Sequence, residues 1–221
     1  MATTQLVLYN IALFAVGERA LASTSEERES TRLLNEVWTR GAGGAVGYAL
    51  EQGQWSFAAR TSLLTVSTSV TPTFGFTYAF AKPTDLVRIV HISTNAELSD
   101  DLLYYRQEAG NYYSNSSLLY LDYISDSTSY GNDLTLWPET FTMWMGHWLA
   151  SQIAPRLKSD LDLADLTKRT DELLVSARLK DTAQKVDLWP PTSFDTIRHR
   201  QLDHVLELMK LTPRQAAKEE R

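Results

Sequence analysis

Cysteine is the residue type that this sequence lacks altogether, since none of its 221 residues is one. A chain without thiols forms no disulfides, has no thiolate nucleophile and cannot build cysteine-ligated zinc or iron–sulfur sites. Any catalytic or metal-binding chemistry would therefore have to use oxygen and nitrogen groups.

Long hydrophobic runs are also missing, because no segment reaches the roughly 18 apolar residues that a membrane-spanning helix needs. The apolar start, Leu6 to Val16, lacks the basic segment and the cleavage site of a signal peptide. We expect the protein to be made in, and to stay in, an aqueous compartment, with no membrane partner.

Basic residues are in deficit, with 21 Lys and Arg against 27 Asp and Glu, for a formal net charge of -6. This balance argues against a protein that grips nucleic acid on a basic face, because such binding neutralises phosphates. It is compatible with a conduit for DNA, since tight phosphate contacts would slow passage. The remaining composition, 43% hydrophobic and 22% charged, is typical of one folded domain.

Two helices are predicted at the start of the chain. The segment Gln5 to Val16 is apolar on nearly every side, which predicts a helix that is buried on most sides. Thr24 and Glu27 fit a capping box, so a second helix is predicted to begin there. Its apolar stripe continues to Leu50 across four glycines between positions 41 and 47. These glycines are explained either by close approach of a neighbouring backbone or by a break in the helix.

The pattern changes to a period of two from Trp55 to Ile124, which predicts a β region. Four aromatic residues alternate strictly: Phe74, Phe76, Tyr78 and Phe80. Further strands are predicted at Leu86–Ile92, Leu103–Gln107 and Leu118–Ile124. Gly110 and Asn111 punctuate the last two.

Helical spacing returns at Pro138, which suits the first position of a helix. The predicted buried stripe of this helix is Phe141, Trp144, Met145, Trp148, Leu149 and Ile153. Pro155 is expected to end or kink it. A last helix is predicted from Asp160. Its apolar face is Leu163, Leu166, Leu173, Leu174 and Ala177.

This order predicts an α+β fold, mainly a helical bundle with an inserted antiparallel β domain. Two N-terminal and two C-terminal long helices form the bundle core, residues 1–54 and 135–186. The β domain comprises residues 55–134. Residues 187–221 are predicted to be an extended C-terminal arm, because Pro190 and Pro191 cannot continue a helix.

A search for catalytic patterns finds none. The histidines at 91, 147, 199 and 204 are not beside a serine nucleophile in a known motif. The spacing of His199, Asp203 and His204 fits no established metal site. The stretch Gly41–Gly44 lacks the Lys and Ser/Thr of a phosphate-binding loop. We therefore predict no enzymatic activity, no cofactor and no metal.

Four spaced groups of residues resemble the head-to-tail adaptors of tailed bacteriophages, in particular the tail tubular protein A family. In order they are Trp55-Ser56-Phe57-Ala58 with Arg60; Tyr78, Phe80, Pro83 and Asp85 with Arg88-Ile89; Tyr105-Arg106-Gln107-Glu108 with Leu119, Leu121 and Tyr123-Ile124; and the helix Phe141 to Ala154. The glycine-rich stretch at 41–47 and the segment after Val186 depart from the family's pattern.

The resemblance implies a virion protein, assembled in the host cytoplasm, that forms a ring of typically twelve copies beneath the portal protein. DNA would pass through the lumen without sequence-specific binding, and a tail nozzle or other distal tail protein would bind below. The predicted portal-binding residues of the arm are Leu188, Trp189, Pro190, Pro191, Phe194, Ile197 and Arg198, because large aromatic anchors supply most binding energy. The predicted contacts with a neighbouring subunit or the next ring are Tyr112, Tyr113, Tyr120, Tyr123 and Tyr130.

A second interpretation stays open from the residues alone. It is a small soluble β-domain binding module or enzyme, with a site among the tyrosines of the β region and four charged residues. Those residues are Asp85, Arg88, Arg106 and Asp122.

Overall fold

The computed structural model of the chain describes residues 3–100, 102, 104–157 and 162–187, with side chains described as far as residue 183. The α+β prediction is confirmed, since the described residues form five α-helices and two three-stranded antiparallel sheets. The described residues up to Thr182 belong to one compact unit. The division into a bundle, an inserted domain and an arm stays a prediction.

The helices and strands have the following bounds. The helices are α1 Gln5–Ala15, α2 Glu29–Trp38, α3 Gly44–Glu51, α4 Glu139–Leu157 and α5 Leu163–Asp187. The strands are β1 Ala59–Leu64, β2 Tyr78–Ala81, β3 Leu86–Ser93, β4 Arg106–Glu108, β5 Asn111–Ser114 and β6 Leu119–Ser125. Short 3₁₀ turns lie at Ser56–Ala58 and Leu134–Leu136.

Helix α1 begins where it was predicted, because the Thr4 hydroxyl accepts a hydrogen bond from the Val7 amide at 3.3 Å and caps the first turn. The helix packs against α4, and Gly146 permits the close approach. A Cβ atom at that position would overlap the Cβ and Cγ2 atoms of Ile11. The prediction of burial on most sides is confirmed, with Val7 and Phe14 the apolar side chains of α1 that are exposed.

The second predicted helix is two helices. The capping box at Thr24 and Glu27 was wrong: the carboxylate of Glu26 instead accepts from the Ala22 amide at 3.1 Å, and α2 begins only at Glu29. The glycines break the helix, since Gly41 and Gly44 have φ angles of 78° and 61°. A side chain on Gly44 would also meet the Trp38 carbonyl at 2.6 Å. The N-terminal part therefore has three helices, not two.

The larger hydrophobic core draws buried side chains from all five helices and from Trp55, Ala58, Ile124 and Trp137. Edge-to-face packing of Phe141 on Trp55 and on Trp137, both with ring centroids 4.7 Å apart, lies within it. The buried indole N–H groups of Trp55 and Trp137 donate to the Ala49 carbonyl at 3.0 Å and to the Gly131 carbonyl at 2.9 Å. This core extends along one side of α4.

The predicted stripes on α4 and α5 are largely correct. Five of the six α4 positions are buried, and Trp148 is half-buried beneath the ring of Tyr48. Pro155 does not end the helix, which continues to Leu157. On α5, Leu166 and Ala177 are buried, but Leu163 is exposed, and the predicted start at Asp160 lies outside the described residues.

The central strands of the two sheets, β6 and β5, are the last two strands in the sequence. The first sheet has the order β1-β6-β3 and the second β2-β5-β4, with all neighbours antiparallel. A smaller hydrophobic core belongs to the strands: Leu64, Phe80, Ile92, Tyr112, Leu119, Leu121 and Tyr123.

Two strand predictions need correction. Strand β2 begins at Tyr78, so Phe74 and Phe76 precede it despite the strict alternation. The strand predicted at Leu103–Gln107 begins only at Arg106. The predicted break at Gly110 is confirmed, with a φ angle of 76°, but Asn111 begins strand β5, which was not predicted.

Candidate functional site

The tyrosines predicted as contacts are mostly unavailable to a partner. Tyr112, Tyr113 and Tyr123 are buried within the chain, so the prediction was wrong for these three. The physical reason is their position on β5 and β6, the central strands of the two sheets. Tyr120 and Tyr130 are half-buried.

Two of these buried tyrosines, Tyr112 and Tyr123, differ in their hydrogen bonding. The Tyr123 hydroxyl donates to the Asp85 carboxylate at 3.2 Å, whereas the Tyr112 hydroxyl finds no partner among the described residues. Burial raises the pKa of both phenols, and the negative charge of Asp85 raises the pKa of Tyr123 further. Both stay neutral hydroxyls under ordinary conditions.

A polar cluster centred on Asp85 joins the three strands of the first sheet. One carboxylate oxygen accepts from Arg60 Nη1 at 2.6 Å and from the Ser125 hydroxyl at 2.5 Å. The guanidinium of Arg60 also lies over the ring of Tyr130, 5.4 Å from its centroid. Burial opposes ionisation of Asp85, but the bonds from Ser125 and Arg60 outweigh it and hold the pKa of the carboxyl below its usual range. The Asp85 carboxylate is hydrogen-bonded by side chains of the same sheet, so the cluster links β1 and β6 to the start of β3.

The four charged residues of the alternative site have separate partners. Arg88 Nη1 donates to the Glu51 carbonyl at 3.4 Å, and Arg106 forms an ion pair with Glu108 at 3.0 Å in the second sheet. Asp122 lies mid-strand on β6, opposite Thr61 and His91. The described structure therefore does not gather Arg88, Arg106 and Asp122 with Asp85 into one site.

An exposed aromatic patch covers the second sheet near β4. We define it as Phe74, Phe76, Tyr104, Tyr105 and Arg106. The rings of Phe76 and Tyr104 have centroids 5.1 Å apart, and the guanidinium of Arg106 lies 4.8 Å from the centroid of Phe74. Tyr104 is 68% exposed. Aromatic residues with an arginine are the side chains that protein interfaces favour.

Exposed apolar side chains also lie on two helices. On α1 these are Val7 and Phe14, and on α5 they are Leu163, Val175 and Leu179. Phe14 is 86% exposed, the highest value among the exposed large apolar residues of the described chain. It borders an open groove of about 530 Å³ between α1 and α4. Contiguous exposed apolar surface marks contact sites, and here the exposed Phe14 adjoins an apolar groove.

The same groove contains His147, whose Nδ1 atom is buried and has no hydrogen-bond partner among the described residues. Burial lowers the pKa of His147, and the nearby positive charge of Arg169 lowers it further. The neutral imidazole is therefore favoured, which suits an apolar groove. Sequence reasoning gave no role to this histidine or to Phe14, since an all-apolar helix does not indicate which side chain is left outside.

A second concavity lies on another side of α4. Its volume is about 270 Å³, and its walls come from the ends of α2 and α3 and from α4. The lining residues are Val37, Arg40, Gly44, Ala45, Tyr48, Trp148 and Gln152. The stacked rings of Tyr48 and Trp148, with centroids 4.8 Å apart, form its aromatic wall.

Several predictions fall beyond the described residues. All seven arm residues, from Leu188 to Arg198, lie there, as do His199, Asp203 and His204. Within the described residues, no three His, Cys, Asp or Glu side chains come together as a metal site. No described helix is both long enough and apolar enough to cross a membrane.

Comparison with known proteins adds no relative. A scan against models of protein families finds none that matches the chain, and a search of curated proteins finds no match either.

Proposed function

We propose that the chain is a structural subunit of a phage head-to-tail adaptor, a ring held between the portal protein and the distal tail. The supporting observation is that helices before and after the strands share one hydrophobic core, while most buried strand residues form a second. This favours a helical bundle with a strand insertion, the architecture that the resemblance implies. Twelve copies would surround a lumen through which DNA passes.

In this proposal the two kinds of exposed surface have different partners. The apolar side chains of α1 and α5 face neighbouring copies of the ring. The aromatic patch on the second sheet contacts the distal tail component, in place of the three buried tyrosines. Tyr120 and Tyr130 remain candidate contacts because they are only half-buried. The protein would reside in the virion, after assembly in the host cytoplasm.

Ring formation is the first test. The purified chain is mixed with the portal protein of the same phage, and the mixture is studied by sedimentation and electron microscopy. We expect a complex in which a ring of copies caps the portal. A particle that stays monomeric and ignores the portal would contradict the proposal.

Truncation after Val186 tests the role of the arm. The shortened chain should keep its helical circular dichroism, because the described core contains none of the removed residues. Its capture by the portal should fall at least tenfold, since Trp189 and Phe194 are the predicted anchors. The double substitution Trp189→Ala and Phe194→Ala in the full chain should reproduce the loss. Unchanged binding would move the portal contact elsewhere.

The aromatic patch has its own test. Tyr104→Ala should weaken binding of the distal tail protein about tenfold, because an exposed tyrosine anchor is lost. Leu118→Ala is the matched control, since Leu118 is also exposed but lies outside the patch. Equal affinities for the two variants would exclude the patch as the distal contact.

A further inference from the structure

A protruding side chain lies beside one side of α4 and a pocket lies on another side. Together they suggest how neighbouring copies of this chain contact each other. The protruding side chain is Phe14, which projects from α1. None of the eleven residues of α1 is charged, although the chain carries a net charge of -6. Two copies repel each other at most surfaces, and α1 can approach a neighbour without adding to that repulsion.

The concave surface is the pocket between α2, α3 and α4. Its volume of about 270 Å³ exceeds the roughly 150 Å³ of an apolar cavity that admits benzene. Val37, Ala45, Tyr48 and Trp148 give it apolar and aromatic walls, and Arg40 is exposed at its edge. An arginine attracts the face of an aromatic ring, so the pocket complements a phenylalanine in both shape and charge.

The two surfaces cannot belong to one patch. On α4, Met143 and His147 face the groove beside Phe14, whereas Trp148 and Gln152 face the pocket. Successive helix residues point about 100° apart, so the two surfaces look in different directions. Such a pair suits a head-to-tail contact, which can close into a ring, and not a two-fold symmetric one.

We propose that Phe14 of one copy inserts into the pocket of the next copy, against the wall formed by the stacked rings of Tyr48 and Trp148 and beside Arg40. This contact rests on the proposed ring function and names the surfaces by which neighbouring subunits meet. The phenyl ring is the central anchor. The charge-free surface of α1 excludes water around it.

The test uses the absence of cysteine from the chain. Ala15→Cys places a thiol beside Phe14, and Gln152→Cys places one at the pocket. The full chain carrying both substitutions is assembled on the portal and treated with a short bis-maleimide cross-linker. Denaturing gels should show a ladder of dimer, trimer and higher species. Each single-cysteine variant should stay monomeric on the gel, as should Ala15→Cys combined with Leu63→Cys.

The outcomes separate this contact from the ring itself. A ladder from the double variant alone supports the contact. Dimers from Ala15→Cys alone would mean that two α1 surfaces meet, which overturns it. Rings seen by sedimentation without any ladder would also overturn it, while leaving the ring function intact. A chain that never assembles, with or without portal, would end both proposals.

The anchor role of Phe14 is tested in the same double-cysteine chain. Phe14→Ala should reduce cross-linking at least tenfold at equal protein concentration. Because Phe14 is 86% exposed in the single chain, the thermal unfolding midpoint should not fall. Leu63→Ala, at an exposed apolar residue on β1, is the control and should leave the ladder unchanged. An unchanged ladder in Phe14→Ala would exclude Phe14 as the anchor.

Discussion

The contact between α1 and α4 depends on close packing, whereas the strands of the first sheet are linked by hydrogen bonds to a charged side chain. Where α1 crosses α4, the contact depends on the missing side chain of Gly146, which lets Ile11 approach the backbone. Where β1, β3 and β6 meet, the contact depends on the charge of Asp85 and its bonds to Arg60, Ser125 and Tyr123. The helical part should therefore respond to changes of side-chain volume, and the strand part to changes of protonation.

Gly146→Ala should cause the largest effect. Replacing glycine by alanine inside a helix normally stabilises it by about 0.5–1 kcal/mol. Here the added methyl overlaps Ile11, so α1 must move, and we expect a net loss of about 3 kcal/mol in the free energy of unfolding. Urea denaturation followed by circular dichroism measures it.

The matched control is Gly47→Ala on α3, where an added Cβ meets no atom within 4 Å. The same substitution should there raise the unfolding free energy by about 0.5 kcal/mol. Opposite signs at the two positions would establish that the close approach at Gly146 is decisive. A stabilising Gly146→Ala would show that α1 does not pack on α4 as described.

Asp85→Asn should lower the unfolding free energy by about 2 kcal/mol, because a mostly buried acceptor loses its charge-assisted bonds. Glu108→Gln is the control, since the pair of Glu108 with Arg106 is exposed and should be worth less than about 0.5 kcal/mol. If Glu108→Gln lowers the unfolding free energy as much as Asp85→Asn does, the Asp85 cluster stabilises the protein no more than an exposed ion pair.

The difference between wild type and Asp85→Asn should also depend on pH. The folded pKa of Asp85 lies below its usual value, so the folded state favours the ionised form. Its stabilising contribution is complete above the unfolded pKa of about 3.9 and is lost as the pH falls through the folded pKa. Denaturation curves at neutral and strongly acidic pH should show the gap between the two proteins closing. A constant gap would mean that the charge of Asp85 is not what stabilises the sheet.

Removing the hydroxyl of Tyr123 or of Tyr112 should give the smallest changes in stability. Tyr123→Phe removes a hydroxyl that bonds Asp85 and should cost about 1 kcal/mol of stability. Tyr112→Phe removes a buried hydroxyl without a partner among the described residues, and it should be neutral or stabilising by up to about 1 kcal/mol. Thermal denaturation distinguishes them. Equal losses would indicate that the Tyr112 hydroxyl is satisfied in solution.

Local sequence signals predicted the helices better than their exact starts. The apolar run of α1 and the Pro138 start of α4 were recognisable because helix periodicity and caps are local. The capping box at Thr24 failed because Ser23, Ser25 and Glu26 make turn hydrogen bonds of the same type. The alternation at Phe74 and Phe76 failed because the backbone turns between them, with Gly75 at a φ angle of 27° and the Phe76 amide donating to the Phe74 carbonyl.

The candidate surfaces were less predictable, because exposure depends on strand order. Nothing local indicates that β5 and β6 become central strands, and that position is what buries Tyr112 and Tyr123. The exposure of Phe14 is equally hard to predict from the sequence, because the neighbouring positions of its helix are apolar too. The sequence therefore favoured tyrosines of the β region and gave no indication that Phe14 is exposed.

A tie near the end of α5 has a mechanical consequence. The Asp181 carboxylate accepts hydrogen bonds from the Ser56 amide at 2.9 Å and from the Ser56 hydroxyl at 2.5 Å, across 125 residues of sequence. Arg178 adds a bond to the carbonyl of Gln52. The tie therefore couples α5 at Asp181 to the segment that enters β1, so a displacement of α5 at this point would be transmitted directly to the first strand.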